Sequence, residues 1–290
     1  MRSLLFVPGD SNKKLQKGLA SSADCLLIDL EDSVATKNKV AARKITSDFI
    51  KSAKSRENRP RLFVRINAFD TEFTDEDLEA AVLDGLDGIM LPKSLSGNCV
   101  DRLASRLSVY EAKRNLPEGQ IQILAIATET AASLFTLGTY VSVSTRLKGM
   151  AWGAEDLSAD LGAETNKNTA GDFTDPYRLA RTLCLAGACA AAVQPIDTVY
   201  TSFTDMDGLQ KECEEARRDG YTGKMAIHPA QLDTINSVFT PSRHAIEHAR
   251  RVIAAFDTSA NTGVVGLDGE MLDKPHLRRA HTVLERAHQK

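Results

Sequence analysis

Cys25-Leu26-Leu27-Ile28-Asp29-Leu30-Glu31-Asp32 opens as an unbroken apolar run and closes on acids, without the apolar–polar alternation of a half-exposed strand. A strand buried on both faces reads this way, and crossover helices are the usual cover for the parallel sheet that contains it. Seven further runs of the same kind follow the chain: Leu4–Val7, Leu62–Ile66, Gly88–Leu91, Ile121–Ala127, Gly149–Trp152, Ile196–Tyr200 and Met225–Ile227. Helix-like segments lie between them. Asp75–Asp84 starts on acidic residues and sets Leu78, Ala81 and Val82 at helical spacing, and Asn98–Arg114 repeats the pattern. Eight units of about 30 residues predict an α/β fold, a (β/α)8 TIM barrel, over a doubly wound sheet. No GxGxxG follows the first run, which weighs further against the dinucleotide fold. The barrel is expected over residues 1–240. Residues 241–290 are expected to form a C-terminal helical extension: a capped start at Phe239-Thr240-Pro241, an amphipathic helix Ser242–Phe256, a break at Asn261-Thr262-Gly263, then a strand-like piece and a basic helix.

The 290 residues, 42% apolar and 26% charged, suffice for a full-sized core, which excludes a disulfide-stapled mini-protein, a disordered chain and a fibre. Thirty-six Lys and Arg against thirty-nine Asp and Glu give a net charge of −3, and so no electrostatic reason to expect nucleic acid or an anionic membrane as partner. Five cysteines without CxxC spacing read as free thiols in a reducing compartment, without a structural zinc. The first apolar run stops at Pro8-Gly9, short of a signal-peptide core, and no run reaches membrane-spanning length, so a cytoplasmic location is expected.

Barrels of this kind carry their chemistry at the C-terminal ends of the strands. There the runs end in Pro8-Gly9-Asp10, Asp29-Leu30-Glu31-Asp32, Arg65-Ile66-Asn67, Pro92-Lys93, Thr128-Glu129-Thr130, Gly153-Ala154-Glu155-Asp156 and His228-Pro229. Acidic groups converge on one rim. Glu129 and Asp156 come from adjacent units and can share one hard cation through oxygen ligands, magnesium first and manganese as the alternative. Taken singly, each also reads as a helix N-cap, Glu129 before Thr130-Ala131-Ala132 and Asp156 before Leu157-Ser158-Ala159. Arg65 interrupts an apolar strand; it reads as a bidentate hold on a substrate carboxylate, as a buried ion pair with Glu31 or Asp32, or as both together. Gly153-Ala154 offers backbone N–H groups to an anion at a helix start.

His244-Ala245-Ile246-Glu247-His248 matches the H-x-x-E-H zinc pattern without a third ligand in a recognisable setting, and reads by default as a solvated helix. Lys93 is placed either for a Schiff base or as a plain electrostatic group, and the acidic pair favours the metal route. All six histidines lie at or beyond position 228, which leaves a carboxylate or a substrate-bound water as the base.

The chain resembles the citrate lyase β-subunit-like branch of the HpcH/HpaI aldolase superfamily, which includes malyl-CoA and citramalyl-CoA lyases. The matching segments run in order along nearly the whole chain: Arg2-Ser3-Leu4-Leu5-Phe6-Val7-Pro8-Gly9, Asp29-Leu30-Glu31-Asp32-Ser33-Val34, Val64-Arg65-Ile66-Asn67, Leu91-Pro92-Lys93, Thr128-Glu129-Thr130, Trp152-Gly153-Ala154-Glu155-Asp156-Leu157, Gly223-Lys224-Met225-Ala226-Ile227-His228-Pro229 and Gly269-Glu270-Met271-Leu272-Asp273. The resemblance implies a barrel with Mg2+ held by Glu129 and Asp156, and Arg65 on a substrate carboxylate or carbonyl. Glu31 and Asp32 then count with Arg65 among the catalytic rim groups. It also implies a tail that packs over a neighbouring subunit in a homotrimer or hexamer and delivers Asp273 as acid/base. The implied activity is reversible Claisen-type cleavage of malyl-CoA, β-methylmalyl-CoA or citramalyl-CoA to glyoxylate or pyruvate plus acetyl-CoA or propionyl-CoA. The implied alternatives are the citryl-acyl-carrier lyase subunit of citrate lyase and a malyl-CoA thioesterase. Lys14 and Lys17 read as contacts for thioester-carrier phosphates or as solvated surface lysines. Family members often carry an arginine a few residues after Pro8-Gly9, where this chain has Asp10-Ser11-Asn12-Lys13.

Overall fold

The computed structural model describes residues 1–258 and 263–288; Asn261 and Thr262 of the expected break lie outside the described residues. Eight strands, β1 (Ser3–Pro8), β2 (Cys25–Asp29), β3 (Arg61–Arg65), β4 (Gly88–Leu91), β5 (Gln122–Ile126), β6 (Leu147–Ala151), β7 (Gln194–Asp197) and β8 (Gly223–Ala226), close into one barrel in sequence order. Every neighbouring pair is parallel, and β8 returns to β1 with Ala226 opposite Leu5. Each strand coincides with one of the eight apolar runs to within three residues at either end. The fold expectation is thereby met.

The barrel interior is a packed core, with Leu27, Phe63, Met90, Leu124, Ile196 and Met225 among its buried residues. Helices α1 (Asn12–Leu19), α2 (Lys39–Ala53), α3 (Thr74–Ala81), α4 (Gly97–Lys113), α5 (Ala154–Asp160), α6 (Asp175–Ala190) and α7 (Met206–Asp219) separate the strands, and α8 (Leu232–Phe239) follows the last.

The chain after β5 departs from the pattern. The helix expected from Thr130 is replaced by two 3₁₀ turns, Ala132–Phe135 and Leu137–Tyr140. Hydroxyls spaced three apart explain it. Ser133 Oγ donates to the Thr130 carbonyl (2.6 Å), Thr136 Oγ1 to that of Ser133 (3.0 Å) and Thr139 Oγ1 to that of Thr136 (2.6 Å). Side chains that bond back to the carbonyl three residues earlier compete with the i→i−4 ladder and suit a three-residue repeat.

The chain divides into two compact units, Met1–Asn236 and Ser237–Lys290. In the second unit, α9 (Arg243–Thr258) is followed by the antiparallel hairpin β9 (Val264–Leu267) and β10 (Glu270–Asp273), then α10 (Lys274–His288). The hairpin turns on Asp268-Gly269, both at positive φ (55° and 86°), the two-residue turn whose twist matches paired strands. Ala249, Val252, Val265, Leu272 and Ala280 give this unit a small core of its own. Among the described residues, no helix is long and apolar enough to cross a membrane.

Candidate active site

The parallel register sets Asp29, the last residue of β2, directly opposite Arg65, the last of β3. Arg65 therefore meets Asp29 in a two-pronged grip, Nε to Oδ1 at 2.8 Å and Nη2 to Oδ2 at 2.7 Å. Its Nη1 lies 3.0 Å from Glu31 Oε2 and 3.7 Å from Asp32 Oδ2. The ion-pair reading of Arg65 is realised, with Asp29, not named in it, as the chief partner. Burial pushes the Asp29 carboxyl up, but the Arg65 guanidinium outweighs it and holds the group below the usual carboxylate range.

Lys93, just after β4, takes the left-handed backbone region at φ 47°. Its N–H donates to Glu129 Oε2, while its ammonium donates to Glu31 Oε1 and lies 3.6 Å from Asp156 and 3.9 Å from Asp32. Burial opposes that charge, yet the Glu31 contact, with Asp32 and Glu129, keeps the ammonium above its ordinary range. A Schiff base needs the neutral amine, which this pairing disfavours. For Glu31, burial pushes the carboxyl up against the pull of Arg65 and Lys93.

Glu129 is buried, with its carboxyl pushed up to about 8, first by burial and then by the charge of Asp156. This position overturns its cap reading. Asp156 lies within the first turn of α5, whose N-cap is Gly153, so it is not a cap either. Gly153 corrects a further expectation: its N–H donates to Thr128 Oγ1 (3.2 Å) and is not free for an anion. What Gly153 supplies is room, since a Cβ there would stand 2.6 Å from Glu129 Cγ.

Asp29 and Lys39 were missed as site residues. Lys39, buried on α2, donates to the carbonyls of Leu30 (2.9 Å) and Glu31 (3.2 Å) and to Asn67 Oδ1 (2.7 Å), which fixes the loop after β2. The only signal for Asp29 was its place one strand over from Arg65. Lys14 and Lys17, exposed on α1, line a cavity of about 350 Å³ with Phe6, Val7, Ile227 and His228. Asp273 belongs to the second unit, exposed at the end of β10, with its Oδ1 2.6 Å from His276 Nδ1. His244, Glu247 and His248 are exposed on α9.

At the strand ends, Asp29, Glu31, Asp32, Glu129 and Asp156 outnumber Arg65 and Lys93 by five to two. The charge of Asp156 destabilises that of Glu129, and a hard cation bound between oxygen donors relieves that repulsion. Among the described residues, no cluster of three or more His, Cys, Asp or Glu stands in metal-holding geometry. The pair fits a hard cation that completes its coordination with water or substrate oxygens.

A (β/α)8 barrel with an acid-rich rim at its strand ends, able to take a hard cation and an oxygen-rich substrate, is the class that fold and site define. The chain belongs to the HpcH/HpaI aldolase/citrate lyase family, whose model matches residues 2–229; a model for C–C bond lyases of the TIM-barrel fold matches residues 174–289. It is 36% identical to a (3S)-malyl-CoA thioesterase of Cereibacter sphaeroides over 99% of this chain and 94% of that protein. It is 34% identical to the citrate lyase β subunit of Escherichia coli over 99% and 93%. A solved structure of CitE from Mycobacterium tuberculosis, in complex with magnesium, acetoacetate and coenzyme A, matches with TM-score 0.78 and 32% identity over 99% of both chains.

Proposed function

We propose that the protein is a magnesium-dependent carbon–carbon lyase that reversibly cleaves a β-hydroxyacyl-CoA, of the malyl, β-methylmalyl or citramalyl type, to a 2-oxo acid and acetyl- or propionyl-CoA. The observation that carries this reading is the buried Glu129 carboxyl beside Asp156, two oxygen donors whose mutual repulsion calls for a cation. Relatives of both activities, and a similar structure that holds magnesium with coenzyme A, support it.

Glu129 and Asp156 would hold Mg2+, which supplies a Lewis acid for the negative charge that develops on the 2-oxo acid oxygen. In the cleavage direction the substrate hydroxyl loses its proton and the carbon–carbon bond breaks. Its electron pair passes to the α-carbon of the thioester as an enolate, which is then protonated on carbon. Glu31 and Asp32 stand at the mouth as carboxylates able to take the hydroxyl proton. Arg65, held by Asp29 and Glu31, keeps N–H donors in reserve for the substrate carboxylate. Lys14 and Lys17 flank a largely apolar groove suited to a thioester carrier's stem and phosphates. In the reading carried from the family, Asp273 of a neighbouring copy delivers the carbon proton.

Purified protein given acetyl-CoA or propionyl-CoA with glyoxylate or pyruvate, with and without Mg2+, should yield β-hydroxyacyl-CoA products by mass spectrometry only when the metal is present. Inactivity on all pairs would sink the lyase reading. The relative named as a thioesterase favours a second reading, hydrolysis of malyl-CoA, and free CoA released without glyoxylate would establish that one instead.

A further inference from the structure

The rim's two cationic side chains are held in different ways. Arg65 is locked, with two of its N–H donors on Asp29, its Nη1 in an ion pair 3.0 Å from Glu31 Oε2, and its guanidinium 4.7 Å from the centre of the Phe6 ring. Lys93 is anchored through its backbone: the left-handed conformation, rare for a side chain other than glycine, sets its N–H on Glu129 and sends the side chain across the mouth. Of its three ammonium donors one is taken closely by Glu31, while Asp156 and Asp32 stand at 3.6 and 3.9 Å, beyond hydrogen-bond reach, and the side chain is 31% exposed. Lys93 thus leans on one of the two carboxylates assigned to the cation, and it has donors to spare.

We propose that Lys93 changes partners during the binding cycle. Without a divalent cation its ammonium partly neutralises Asp156. With a dication on Glu129 and Asp156, repulsion between like charges drives the ammonium off Asp156. It stays tethered by Glu31, and its free donors turn to the carboxylate of the 2-oxo acid, an anion that the rim would otherwise repel. Lys93 is then a substrate-contacting residue beyond Arg65, and an internal competitor of the metal. This inference rests on the reading that Glu129 and Asp156 hold Mg2+.

The test needs no turnover. The full chain is titrated by calorimetry, first with MgCl2 alone and then with pyruvate at saturating Mg2+, as wild type, Lys93→Met and Lys93→Arg. Loss of the competing charge should tighten Mg2+ binding by about threefold or more in Lys93→Met, while pyruvate weakens by about tenfold or more. Lys93→Arg should bring pyruvate affinity back to within about threefold of wild type, since it restores the charge. A merely structural lysine would weaken both ligands together; that result, or unchanged pyruvate affinity in Lys93→Met, overturns the proposal. Lys93→Gln carries the same comparison if Lys93→Met gives no cooperative melt. A wild type that binds neither Mg2+ nor pyruvate defeats the metal reading itself, whereas a wild type that binds both, matched by Lys93→Met, defeats only the partner exchange.

Discussion

The Glu129 carboxyl, buried and pushed up to about 8 by that burial and by the charge of Asp156, carries its charge at a cost that a bound cation would relieve. Glu129→Gln keeps the shape but removes the charged oxygen donor. It should weaken Mg2+ binding by calorimetry about tenfold or more and lower metal-dependent turnover by about a hundredfold or more, with the melting temperature held or raised. Asp29 behaves in the opposite sense. Its folded pKa lies below its ordinary 3.8, so the pair with Arg65 contributes stability that is fully present above that value and is lost as pH falls through the lower, folded one. Asp29→Asn leaves Arg65 short of its partner and should cost about 3 kcal/mol at neutral pH by denaturant unfolding, a difference that narrows in strong acid. Sequence reading reached Glu129, Asp156 and Arg65 because a charged residue at the end of an apolar strand stands out. It passed over Asp29 as a functional side chain, and placed Lys93 at the rim without its anchor, because both depend on register and backbone angle: Asp29 matters as the residue level with Arg65, and Lys93 as one whose φ of 47° turns its N–H toward Glu129.

At the scale of elements, the strands were legible because burial on both faces leaves continuous apolar runs, and eight such runs specify a closed parallel barrel once each is joined to the next by a helix. The segment after β5 was not, although its signal lay in the chain as Thr130, Ser133, Thr136 and Thr139, a hydroxyl at every third position. Ordinary helix reading follows apolar periodicity and gives no weight to side chains that capture their own backbone. Thr139 does double service there. Its Oγ1 donates to Thr136 and accepts from the N–H of Gly97 at 2.8 Å, which satisfies one of the free donors at the start of α4. Thr139→Val keeps the shape and removes both bonds. It should destabilise the protein by about 1 kcal/mol, the usual cost of a lost helix cap, seen as a lower denaturant midpoint at unchanged slope. Catalysis should be unaffected, since neither bond reaches the carboxylate rim.

For the whole molecule, the second unit carries its own small core of Ala249, Val252, Val265, Leu272 and Ala280, and it ends its hairpin on the exposed Asp273. Five of the six histidines and a majority of basic over acidic residues fall after position 236, whereas the residues before it carry the acidic excess. Charge alone does not say whether the second unit serves its own chain or a neighbouring copy. Complementation does. Glu129→Gln removes the metal site and leaves Asp273 intact, while Asp273→Ala does the reverse, and each homo-oligomer should be inactive. If Asp273 acts across subunits of a closed ring, random reassembly of an equal mixture should place an intact metal site under an intact Asp273 in about one-quarter of sites, and so restore about one-quarter of wild-type activity. If Asp273 acts within its own chain, no site in the mixture holds both groups and none of the activity returns. The mixture is co-refolded or co-expressed so that subunits exchange, and sedimentation of the wild type gives the number of copies among which the sites are shared.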